Sequence, residues 1–178
     1  MTSLLSALAN QASSTLATGQ APARLGNAHP SIAPYELFEA RDRPLVIAVG
    51  NDRQFAALVE ALGYPGLARD ARFSSNELRV HHRAELRALL VARLGERDAR
   101  DWVVRLTEAR VPAGLVNDVA EAFDFAEALG LEPVAELARG AGESVRSTAN
   151  PIHLSRTPAE CGHPSPDLGS AGASVDWR

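Results

Sequence analysis

The stretch that most constrains what this chain can fold into is Arg24–Tyr35, R-L-G-N-A-H-P-S-I-A-P-Y. Gly26-Asn27 signals a turn, because glycine takes positive φ freely and asparagine tolerates it better than most residues. Pro30 and Pro34 push the residues before them out of the helical region, since the proline ring crowds the preceding backbone. The stretch therefore cannot continue a helix. It is expected to be a partly rigid, non-helical segment carrying an amide (Asn27), an imidazole (His29) and a phenol (Tyr35).

On its N-terminal side, residues Thr2–Thr18 read as one helix with an apolar stripe of Leu4, Leu5, Leu8, Ala12 and Leu16. Thr2 or Ser3 is the expected N-cap and Gly19 the stop. A lone amphipathic helix of this kind expects a partner for its stripe, in this chain or another. On the C-terminal side the spacing predicts strands at Tyr35–Ala40 and Leu45–Val49, joined by a turn at Arg41–Pro44. A helix follows over Arg53–Leu62, capped by Asn51 or Asp52 and broken at Gly63-Tyr-Pro65-Gly66.

A second helix is predicted over Asn76–Leu94, capped by Ser74 or Ser75, with Leu78, Leu86, Leu89, Leu90 and Leu94 inward. Asp98 is the expected cap of Ala99–Arg110, whose inner face carries Trp102, Val103 and Leu106. Val111–Val116 reads as extended, and Asn117 or Asp118 as the cap of a shorter helix through Val119, Ala122 and Phe123, with a further turn at Ala126–Leu129. Three short strands are then expected, at Val134–Leu137, Ser144–Ser147 and Ile152–Ser155, with Gly140-Ala-Gly142 as a hairpin turn. Beyond Pro158 the Pro, Gly, Ser and Ala content predicts an extended tail.

Composition removes several function classes. All 18 cationic residues are arginine, so no lysine is available for a Schiff base, a phosphate loop or a general base. A net charge of −4 with no basic stripe argues against nucleic-acid binding, and no apolar run reaches the ~20 residues that span a bilayer. The N-terminus has no basic segment of the secretory kind, and the single Cys161 excludes an intrachain disulfide; both point to the cytoplasm.

Of the histidines, His29 sits in a turn-rich loop between Asn27 and Pro30, where it serves either to hold the turn or as an acid, base or donor. His81 and His82 are adjacent and diverge by about 100° on a helix, so they cannot share a metal and are expected on the solvated surface. His153 is expected on the strand face opposite Ile152 and Leu154. Cys161-Gly-His163 has no second ligand pair, and no metal site is expected. Read this way, the residues describe an α/β domain with two dangling ends and no complete active site.

The pattern resembles the family III CoA-transferases, the group of formyl-CoA transferase, carnitine CoA-transferase and alpha-methylacyl-CoA racemase. The resemblance is carried by R-L-G-N-A-H-P-S-I-A-P-Y, L-V-I-A-V-G-N-D-R-Q-F and A-L-V-E-A-L-G. It continues through D-A-R-F-S-S-N (70–76), R-V-P-A-G-L-V-N-D (110–118) and N-P-I-H-L-S-R-T-P (150–158), in order. It implies a small α/β domain together with pieces of a large Rossmann-like, CoA-binding domain, in subunits interlocked like chain links. On that basis residues 1–34 are a helix and active-site-loop linker, 35–125 the small domain, and 126–178 the return toward the large domain.

The resemblance further implies transfer of CoA between a thioester and a carboxylic acid through an aspartyl intermediate. The family's nucleophilic aspartate lies near the start of the first helix, where this sequence has Met1, Thr2 and Ser3, so no catalytic residue is assigned. The tail departs as well, with Ser170-Ala171-Gly172 after Leu168-Gly169 in place of the family's L-G-E-H. The family's G-N-x-H-P loop lies over the active site, which makes Gly26, Asn27, His29, Pro30 and Ser31 the expected substrate-loop residues. The expected partner is an N-terminal CoA-binding half or a second subunit, with a homo-oligomer possible. Coenzyme A thioester is then the substrate of the complete enzyme, and the chain alone binds no cofactor and is inactive. The alternatives are a non-catalytic interaction module, a truncated gene product, or an acyl-CoA racemase branch.

Overall fold

The computed structural model describes residues 1–140, 142–159, 164–166 and 168. In chain order the elements are α1 (Thr2–Ala7), α2 (Ala9–Thr18), β1 (Tyr35–Glu39), β2 (Pro44–Ala48) and α3 (Asp52–Ala61). A 3₁₀ turn at Pro65–Arg69 leads to α4 (Asn76–His81), α5 (Arg83–Leu94), α6 (Ala99–Glu108) and β3 (Ala113–Leu115). The last elements among the described residues are α7 (Val119–Ala128) and a hairpin of β4 (Val134–Gly140) and β5 (Glu143–Thr148). It divides into two compact units, Met1–Val116 and Asn117–Arg178. The α/β expectation holds: helices combine with two small antiparallel sheets.

In the first unit β2 lies between β1 and β3, with Phe38 opposite Leu45 and Ile47 opposite both Glu36 and Ala113. The alternation of side chains along a strand sends Phe38, Leu45, Ile47 and Val49 to one face, all essentially sealed from solvent. Against them pack Phe55, Leu58, Val59 and Leu62 from α3 and its end, Leu86, Leu90 and Leu94 from α5, and Trp102 and Leu106 from α6. Arg97 and Arg105 lie 5.8 and 5.6 Å from the Trp102 ring, so their cations rest on its π face while the indole N–H donates to Leu94 O at 2.8 Å.

Caps follow the sequence in most places. Asn51 accepts from Gln54 N at 2.9 Å, and Ser75 from Leu78 N at 3.3 Å. Asp118 and Glu121 exchange bonds as a capping box. Asp98 differs. It stands at the N-cap of α6, but its carboxylate pairs with Arg41 at 2.9 Å, and Asp42 accepts from Ala99 N instead. A charge-assisted bond to a guanidinium outcompetes a neutral amide donor.

Four expectations are corrected. The first helix breaks at Leu8/Ala9, where Ala9 has φ +44°, and neither Thr2 nor Ser3 caps it, because the N-cap position is Met1. Neither α1 nor α2 buries a residue, and Leu4, Leu5, Leu8 and Leu16 are exposed. The long helix over 76–94 breaks at His82 into α4 and α5, and its most buried residue before the break is Arg79 rather than Leu78. No strand forms at Ile152–Ser155; Pro151 removes a backbone donor at the start of the segment. His153 is exposed there. Cys161, His163 and the tail from Gly169 lie outside the described residues.

Candidate functional site

Arg24–Pro34 is an ordered loop laid along the free edge of β1. Gly26 has φ +62°, and Ala28 N closes the turn on Leu25 O at 3.1 Å. From that turn, Asn27 Oδ1 accepts from Leu37 N at 2.8 Å, and His29 N donates to Tyr35 O at 2.9 Å. The two bonds satisfy edge groups that β2, on the other side of β1, cannot reach. The His29 ring stacks on the Tyr35 ring with centroids 5.3 Å apart and planes 19° from parallel. Its Nδ1 faces the Ser31 N–H at 3.2 Å, so the hydrogen-bond network assigns the proton of the neutral ring to Nε2.

The other side of the loop is held by α4 and α5. Asn76 accepts from Ala33 N at 3.2 Å and donates to Ser31 O at 2.8 Å, reading the loop backbone with both ends of its amide. Arg79 donates to Ala33 O at 2.8 Å, to Phe73 O at 3.0 Å and to Asp52 at 2.7 Å, over the Phe55 ring at 4.4 Å. Arg83 donates to His29 O at 2.6 Å and to Ile32 O at 3.4 Å. Arg87 pairs with the buried Glu36 at 3.0 Å. Positions 76, 79, 83 and 87 are three and four apart, so they form one ridge along the helix pair.

All five expected loop residues are thus gathered on one segment, and Asn27 and His29 have structural partners of their own. The anchoring residues Asn76, Arg79 and Arg83 escaped the sequence reading. The signal was present as N-x-x-R-x-x-x-R, but attention to the leucine stripe hides a polar ridge with the same period. The nearby carboxylates are ion-paired, Glu36 with Arg87 and Asp52 with Arg79.

A second polar network lies around Phe73. Arg72 forks onto Asp70 at 3.0 and 2.7 Å and reaches Glu85 at 2.8 Å, and Glu85 continues to His82 Nδ1 at 3.0 Å. The Arg72 fork holds the Asp70 carboxyl down at about 2. His82, with Arg72, also lowers Glu85. His82 is half-buried with its ring edge-on to Phe73, which corrects the expectation of a fully solvated pair with His81. Among the described residues no cluster of histidine, cysteine and carboxylate side chains could hold a metal, and no helix is long and apolar enough to cross a membrane.

Comparison with known proteins gives one consistent result. Over 170 residues the chain is 38% identical to a succinate–glutarate CoA-transferase of Agrobacterium fabrum, covering 94% of this chain and 42% of that protein. Over 109 residues it is 45% identical to an acetyl-CoA:oxalate CoA-transferase of Acetobacter aceti, covering 61% of this chain and 28% of that one. The crystal structure of a CAIB/BAIF family protein from Brucella suis superimposes with a TM-score of 0.77 at 38% identity, over 94% of this chain and 43% of its own. The chain therefore spans less than half the length of these relatives. Since residues 1–171 match the family described as CoA-transferase family III, and relatives and fold agree, the chain belongs to CoA-transferase family III.

Proposed function

We propose that this chain is the C-terminal part of a CoA-transferase, supplying the loop that covers the site where CoA passes from an acyl-CoA thioester to a carboxylic acid. The observation that carries this reading is the loop itself. Gly26–Ser31 is held on one side by Asn27 Oδ1, which accepts from Leu37 N, and on the other by Arg83, which donates to His29 O, and it carries an imidazole whose Nδ1 faces the Ser31 N–H. Such a loop excludes water from a reactive acyl group, which matters because anhydrides and thioesters hydrolyse.

The transfer step needs a carboxylate nucleophile that accepts the acyl group as CoA thiolate leaves, then accepts CoA and releases the acid. Glu36, buried against Arg87, and Asp52, bound to Arg79, are not assigned that role. In this reading the nucleophilic aspartate and the CoA pocket lie in a CoA-binding half or a second subunit, and the purified chain alone is inactive. The relatives named above transfer CoA to or from short dicarboxylic acids, which supports a small dicarboxylate as the acid here and favours transfer over racemisation.

The test is a chimera in which this chain replaces the matching C-terminal part of the Agrobacterium fabrum enzyme. CoA transfer from succinyl-CoA to glutarate is expected from the chimera and not from the 178-residue chain. Transfer by the isolated chain would refute the assignment of the nucleophile to another segment. A folded but inert chimera would favour a non-catalytic interaction module.

A further inference from the structure

The cluster beneath the loop holds an imbalance that the fold does not require. Arg83 sits between two kinds of acceptor, the loop carbonyls of His29 and Ile32 and the buried carboxylate of Glu36. Its Nη2 takes the carbonyls at 2.6 and 3.4 Å, whereas its Nη1 is buried, has no hydrogen-bond partner and stops 3.9 Å from Glu36. Arg87 satisfies Glu36 from the other side at 3.0 Å. A guanidinium normally settles two-pronged on a carboxylate, and a buried donor without an acceptor is costly. The present position is explained if the carbonyls of an ordered loop hold the guanidinium short of Glu36.

We propose that Arg83 is a positioning residue that latches the His29 loop, exchanging its loop carbonyls for Glu36 when the loop lifts. Two acceptor sets within reach of one side chain give the loop two defined positions rather than a frayed one. The planar fork is essential, because one prong must stay near Glu36 while the other spans carbonyls three residues apart; a lysine ammonium keeps the charge but not that geometry. The functional meaning of the latch rests on the reading that this loop covers a CoA-transfer site. The latch itself is a property of this chain and is testable without CoA.

The experiment is amide hydrogen exchange on the 178-residue chain, comparing the native protein with Arg83→Gln and Arg83→Lys. In both variants the amides of His29, Ser31 and Ala33 are expected to exchange faster by about tenfold or more, while those of Leu58 in α3 and Leu106 in α6 keep their rates. Native-like loop rates in Arg83→Gln would overturn the latch, and so would equal acceleration of loop and core. If Arg83→Lys matched the native protein, charge rather than the fork would hold the loop, which also refutes it. An inert chimera would leave these rates untouched, so failure of the latch and failure of the transferase reading are distinguishable.

Discussion

Replacing Arg79 by methionine isolates what a buried guanidinium contributes to this fold. Arg79 is 1% exposed, and its three bonds go to two carbonyls, Ala33 O and Phe73 O, and to Asp52, whose own side chain is 64% exposed. Methionine keeps the unbranched apolar stem but stops short of the guanidinium that lies over Phe55, and it leaves both carbonyls without that donor, at about 1–3 kcal/mol each. The exposed carboxylate regains water and adds at most about 1 kcal/mol. Arg79→Met is therefore expected to cost roughly 2–7 kcal/mol, against total stabilities of about 5–15 kcal/mol for domains of this kind. Asp52→Asn is expected to cost less than about 1 kcal/mol. Urea unfolding followed by fluorescence of the buried Trp102 reads both. With a slope of about 2 kcal/mol per molar, Arg79→Met should lower the midpoint by about 1–3 M. If Asp52→Asn matched it, the ion pair and not the carbonyl bonds would be the stabilising element, and the reasoning would fail.

Trp102→Phe fills most of the same space but leaves Leu94 O without its indole donor, so a loss of about 1–3 kcal/mol is expected in the same assay, read by circular dichroism. Asp70 is held at about 2 in the folded chain, below the ordinary value of 3.8, so its contribution is complete above the unfolded value and fades as pH falls toward 2. Urea midpoints across pH 2–5 should accordingly fall less steeply with acid in Asp70→Asn than in the native chain. Because α1 and α2 bury nothing, their amides are expected to exchange with protection far below that of α3, as measured by hydrogen exchange. Protection equal to α3 would show that Leu4, Leu5 and Leu8 have found a partner.

The parts of this fold legible in the sequence are those where one local rule acts alone. The apolar run Leu45–Val49 was readable as a strand, and the 3.6-residue period placed Leu86, Leu90 and Trp102 in the core, where all of them lie. For three helices the cap was narrowed to two neighbouring residues, and Asn51, Ser75 and Asp118 take the role in the structure. Asp98 was misread because a distant arginine claims its carboxylate, a contact with no local signature. The break at His82 was equally hidden, since neither glycine nor proline marks it. At the loop, turn chemistry identified Gly26-Asn27 and singled out His29. It did not show that Asn27 would satisfy Leu37 N, or that Asn76, Arg79 and Arg83 would hold the backbone from forty or more residues away. Those partners depend on how α4 and α5 lie beside β1, which propensity does not encode.

The loop's assignment as a cover is tested most directly by how the chimera divides its acyl group between acid and water. Succinyl-CoA consumption is measured alongside glutaryl-CoA formation in the chimera and in its His29→Ala and Asn27→Ala forms. Loosening the cover should raise the share lost to hydrolysis in both variants, with the larger change in Asn27→Ala, whose amide holds the loop to Leu37. A hydrolysis-to-transfer ratio unchanged in both variants would show that Gly26–Ser31 does not close over the reacting acyl group.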